Sequence, residues 1–221
     1  LFEKGSGSEL GVLVPIIEIF EGGWPWILVW PIGFLWACFS LNTRWGVWAF
    51  STQVIIAGSI LPLKMQLPWY IHPFWLPFAL LCGPPVSWLI QRNENDYIFA
   101  RKILRKIPYL LSFIGLCLFT FSLLVKLNII NFEKGYFGAI FSISLAWLIG
   151  GLLLSDSKEK IRKLGFIGII FGSIIGLFFF VNSKFWLWEI NENWDVRPVA
   201  EFISCFPDQQ IYIKNSFERP S

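Results

Sequence analysis

Six stretches of the chain run apolar over helix-sized lengths, roughly 24–40, 45–62, 71–90, 108–130, 137–154 and 164–181. A bilayer core takes about 20 mostly apolar residues per helix, so the pattern predicts six transmembrane spans. The first three are rich in Trp and Pro. The last three are simpler Leu/Ile/Phe runs, and "GFIGIIFGSIIG" offers glycines against which a neighbouring helix can pack closely.

The flanking segments differ in kind. In residues 1–23, "ELGVLVPIIEIFEGG" sets Ile16, Ile17, Ile19 and Phe20 against Glu9, Glu18 and Glu21. It is too short to cross a bilayer and predicts an amphipathic helix lying on the membrane surface. From about residue 182 the chain becomes ordinary soluble sequence. Asp195 can cap a short helix to about Cys205, "FPDQQ" makes a turn, and the alternation in "IYIK" reads as a strand. The predicted architecture is an all-α polytopic membrane domain over 24–181, followed in 182–221 by the start of a small extracytoplasmic α/β domain. Opening without Met and ending in "NSFERPS", the sequence is expected to be an internal piece of a longer chain.

Composition agrees with this pattern. The chain is 55% hydrophobic and 15% charged, with a mean hydropathy of +0.60, outside the balance of a water-soluble domain of this size. Many of the 13 Trp residues, among them Trp24, Trp26, Trp69, Trp186 and Trp188, fall near the ends of apolar runs, as interfacial belts require. A net charge of +3 gives no concentrated basic face, so nucleic-acid binding is not expected. Cys38, Cys82, Cys117 and Cys205 show no CxxC or Cys/His spacing, hence neither a disulfide framework nor a metal site is expected. "GSGSEL" lacks the Lys-Ser/Thr of a phosphate loop and the strand before it.

The arrangement of charge sets an orientation. Alternate loops carry Arg44, then Arg92, Arg101, Lys102, Arg105 and Lys106, then Lys158, Lys160, Arg162 and Lys163, which is ten of the 18 basic residues. Those loops are expected on the cytoplasmic side. The N-terminal stretch, the 61–74 connection, the "NFEKG" loop and the C-terminal tail then face outward. Lys126, near the outer end of its span, reads as a snorkelling side chain.

The connection "LPLKMQLPWYIHPFWLPFAL" (61–80) stands out. It holds Lys64, the single histidine His72, and Trp69 and Tyr70 between them. Pro62, Pro68, Pro73 and Pro77 interrupt helical hydrogen bonding, which favours a cavity edge over a lipid-facing wall. An ammonium, an imidazole and a phenol there can offer charge-assisted hydrogen bonds to a lipid-borne phosphate or diphosphate. Snorkelling, solvation and an aromatic belt account for the same residues without any chemistry.

"LKMQLPWYIHPFWLPFALLCG" resembles an element of the aminoarabinose-transferase and protein-O-mannosyltransferase-like enzymes, polytopic bacterial glycosyltransferases of the GT-C fold. "VRPVAEFI…IYIKNSFERPS" resembles the start of their outer soluble domain. The resemblance implies transfer of a sugar from a polyprenyl-phosphate carrier to a lipid or other envelope acceptor, on the outer face of the bacterial cytoplasmic membrane. It implies Lys64, Trp69 and Tyr70 as partners of the lipid phosphate. His72 stands where the family commonly has Leu, so its role is inferred from its chemistry alone. Glu218 and Arg219 are candidate outer-loop contacts. The family's catalytic acids lie in a first outer loop outside these 221 residues, so no catalytic residue is assigned. Glu18 and Glu21 are outer carboxylates whose spacing of three places them on one polar helix face. No cofactor is assigned. A transporter or lipid flippase, or a non-catalytic membrane scaffold, are the alternatives. Charges gathered at span ends and the lack of an internal repeat disfavour the transporter.

Overall fold

A computed structural model describes residues 13–63, 68–92, 100–132, 134–183 and 205. Among them the chain is helical, in the order α1 (Leu13–Gly22), α2 (Trp30–Phe39), α3 (Arg44–Ile60), α4 (Trp75–Gln91), α5 (Arg101–Leu104), α6 (Ile107–Lys126), α7 (Phe137–Leu154) and α8 (Glu159–Val181), and holds no strand. Short 3-10 segments precede α2 (Trp26–Leu28) and α4 (Pro68–Phe74). The expected helix and strand of the tail lie outside the described residues.

Four helical stretches are long and apolar enough to cross a membrane, Tyr70–Gln91, Arg101–Lys126, Phe137–Leu154 and Glu159–Val181. They overlap the last four predicted spans, but the stretch predicted at 108–130 begins seven residues earlier and ends four earlier, and the final one begins five residues earlier. The chain has the make-up of a membrane protein.

The first two predicted spans fall on shorter helices. Pro25 and Pro31 divide the apolar run at 24–40, so that its first part is spent in a turn and a 3-10 segment. Pro31 sits at the start of α2, where its missing N–H costs nothing. The remaining ten residues reach only about 15 Å. Thr43 caps α3, its Oγ1 accepting from the N–H of Gly46 (3.0 Å) and donating to the carbonyl of Ser40 (2.8 Å). Pro62 follows the far end of α3, which leaves 17 residues, about 25 Å.

Two packed groups make up the molecule. In one, α7 lies along both α6 and α8, its two most extensive pairings. Leu111, Trp147, Leu154 and Ile169 fill the centre. In the other, α2 and α3 pack on α4 around Val29, Ile32, Phe74, Phe78 and Trp88. Gly33 of α2 lies against the carbonyl of Leu81, the oxygen whose helical donor Pro85 removes.

The groups are joined at one end by two arginines. Arg92, just past α4, adopts the left-handed conformation (φ 54°) and donates from Nη2 to the carbonyls of Leu154 and Ser155, both at 3.1 Å, at the end of α7. Arg162, in the first turns of α8, returns the contact. Its Nε donates to the carbonyl of Ile90 (2.6 Å) and its Nη2 to that of Gln91 (3.3 Å), while Nη1 donates to Asp156 and Ser157. A helix C-terminus presents unpaired carbonyls and partial negative charge, so a guanidinium is the natural cap. Burial first, then neighbouring Arg162 and Arg105, hold the Arg92 guanidinium below its ordinary pKa.

Candidate functional site

The 61–74 connection enters α4 at the end opposite the two arginines. Its last part, Pro68–Phe74, is a 3-10 segment anchored by the buried Ile71 and Phe74. Tyr70 is half-buried and His72 exposed. Three residues per 3-10 turn set these two about 120° apart around the segment, so they share an element without sharing a face. Trp69 belongs to the same segment by its backbone. Lys64, Glu218 and Arg219 lie outside the described residues.

Helix α1 packs on this 3-10 segment, which makes the element bearing Glu18 and Glu21 the neighbour of the one bearing Tyr70 and His72. Glu18 is half-buried and Glu21 exposed. The apolar positions Leu13, Ile16, Ile17 and Phe20 are exposed on α1, an arrangement suited to a lipid surface.

Between α1, α2, α3 and the 3-10 segment lies a cavity of about 530 Å³. Ile16, Ile19, Phe20, Val54 and Phe74 make it apolar, and Leu61, where the connection begins, also lines it. Its one amide is Gln53, from the middle of α3. Gln53 Oε1 accepts from Trp30 Nε1 (3.3 Å). The Trp30 ring is itself held by Phe78, stacked at 5.9 Å, and by Phe74 at 5.9 Å. Gln53 was missed by sequence reasoning, although a lone amide in an apolar helix was its available signal. A second cavity of about 230 Å³, lined by Trp26, Phe78, Cys82, Val86 and Phe166 among others, is mostly apolar.

Among the described residues no three His, Cys, Asp or Glu side chains cluster as metal ligands would. No family model, curated protein or solved structure matches the chain.

Proposed function

We propose that this chain is part of an integral-membrane glycosyltransferase of the GT-C type. It transfers a sugar from a polyprenyl-phosphate carrier to a lipid or other envelope acceptor on the outer face of the bacterial cytoplasmic membrane. In this reading the apolar stretches 24–40 and 45–62 join the four long spans to make six, and the tail begins an outer α/β domain. Lys64 meets the carrier phosphate with help from Trp69, Tyr70 and His72, while Glu218 and Arg219 orient an outer loop. The carboxylate that deprotonates the acceptor comes from outside these residues.

One observation carries the reading. The arginines that cap α4 and α7 gather at one end of the bundle, and the connection bearing Lys64 joins α3 to α4 at the other. That separation supports an outward position for the connection, where a departing lipid phosphate needs cationic stabilisation.

Binding of a polyprenyl monophosphate to the full-length protein in detergent, compared with the matching prenol, tests it. Wild type is expected to prefer the phosphate by at least about tenfold, the factor that 1.4 kcal/mol gives. Lys64→Ala removes the preference, Lys64→Arg keeps most of it, and His72→Leu lowers it modestly while retaining much of it. Equal binding of phosphate and prenol by wild type overturns the proposal.

A further inference from the structure

Positive charge is gathered where the two arginines join the helix groups. The stretches 91–106 and 155–163, linked by that exchange, hold nine basic residues and four acidic ones, an excess of five, while the rest of the chain has a net charge of −2. The negative helix ends there are already in use, because Arg162 caps α4 and Arg92 caps α7. The positive ends remain. Both α6 and α8 begin at this end, and a helix N-terminus favours anions, yet α6 opens on Arg105 and Lys106. Of the described acids here, Asp156 Oδ1 accepts from the N–H of Lys158 (2.7 Å) and Glu159 pairs with Lys163. Both serve the start of α8, not that of α6.

The start of α6 also meets Arg92. After the larger effects of burial and Arg162, Arg105 lowers the pKa of the Arg92 guanidinium and Tyr109 raises it, so both lie near it. Arg92 is half-buried, and Arg105 and Tyr109 are exposed. Both hydrogen bonds of Arg92 to the described residues leave from Nη2, and Nε is buried, so Nη1 is the donor it has to offer. Two guanidiniums and a phenol hydroxyl near one another suit the oxygens of a phosphate diester. Beyond them Tyr109, Phe113 and Leu116, at i, i+4 and i+7, form an exposed face of α6 that can take an acyl chain.

Position decides the source of the phosphate. All four membrane-length stretches have an end here, at Gln91, Arg101, Leu154 and Glu159, which sets these residues in the headgroup layer. A free anion beside the exposed Arg105 is screened by salt and held by nothing else. A lipid phosphate is held at that depth by its own tails, and it alone makes use of Phe113 and Leu116.

We propose that Arg92, Arg105 and Tyr109, where α6 begins beside the end of α4, bind the phosphate of an acidic phospholipid whose acyl chain lies along α6. The site is at the opposite end of α4 from the 61–74 connection and does not depend on the glycosyltransferase reading.

Photocrosslinking of the full chain in detergent tests it, with phosphatidylglycerol carrying a diazirine near the ester end of one acyl chain, and phosphatidylethanolamine of the same chains. Both have the phosphate diester, and only the first is net negative. In wild type phosphatidylglycerol is expected to label the first part of α6, 107–116, at least about fivefold more than phosphatidylethanolamine. Arg105→Gln should lower that label by about the same factor and Arg105→Lys restore part of it, with the unfolding temperature unchanged in both. Lys160→Gln removes an equal charge at the start of α8 and should leave the label as in wild type. An equal fall with Lys160→Gln overturns the site, since the label then follows surface charge as a whole. Equal labelling by the two lipids in wild type also overturns it, and that ratio decides the matter even where a variant fails to fold. Displacement of the label by inorganic phosphate, at an ionic strength where sodium chloride leaves it in place, overturns the lipid as occupant. Displacement by polyglutamate under the same conditions overturns it in favour of an acidic protein.

Discussion

A buried arginine in a membrane protein is costly unless its donors are satisfied. Arg162 is 4% exposed and meets four backbone carbonyls, from the last turn of α4 and from the turn between α7 and α8. Its replacement strands those carbonyls as well as removing the charge. Arg162→Leu is therefore expected to lower stability by about 3 kcal/mol or more, seen as a lower unfolding temperature in detergent. Lys163, one residue on, forms an exposed pair with Glu159 (2.6 Å). Lys163→Ala should leave that temperature unchanged within error, since exposed pairs contribute little. In the sequence the two residues are equivalent members of one basic loop. Only the convergence of α4 on the start of α8 separates a structural cap from a solvated charge, and that convergence is long-range.

At the scale of elements, close helix approach rather than side-chain bulk sets the packing. A Cβ on Gly33 would stand 1.8 Å from the oxygen of Leu81, so Gly33→Ala forces α2 off α4. The expected loss is about 2–3 kcal/mol. Gly168, on α8, has nothing within 4 Å of its would-be Cβ, and Gly168→Ala should hold or raise stability by up to about 1 kcal/mol. Reversible unfolding of both variants in mixed micelles makes the comparison. The glycine-rich motif of α8 was readable in advance, and Gly165, Gly172 and Gly176 do lie within contact of α7. Which glycine faces lipid was not readable, because the stripe alone does not say where the neighbour is. The last three long spans were legible because an uninterrupted run of Leu, Ile and Phe leaves the chain one option in a bilayer, whereas Tyr70–Gln91 stays helical with Pro84 and Pro85 inside it. The lengths of α2 and α3 were not, since a hydropathy window counts Pro and Trp as part of a run while the backbone treats Pro25, Pro31 and Pro62 as breaks.

For the whole molecule, orientation rests on which loops carry the positive charge. With the four native cysteines replaced, Asn131→Cys in intact cells should react with a membrane-impermeant maleimide, and Ser157→Cys only after permeabilisation. The reverse result would turn the outward connection inward and remove the site proposed for the carrier phosphate. The prolines and aromatics of 61–80 pointed to a cavity edge. A cavity does adjoin that segment, yet Gln53, the polar group at its wall, comes from a different helix, to which the sequence reading assigned no site residue. The arginine exchange between α4 and the turn before α8 also bears on the order in which the chain is made. The carbonyl of Ile90 is capped by a residue 72 positions later. At about 5–20 residues per second, the end of α4 waits roughly 4–14 s for its partner to be synthesised. For that interval the emerging helix needs water, lipid headgroups or the insertion machinery at its terminus, and its final position is set only when α8 begins.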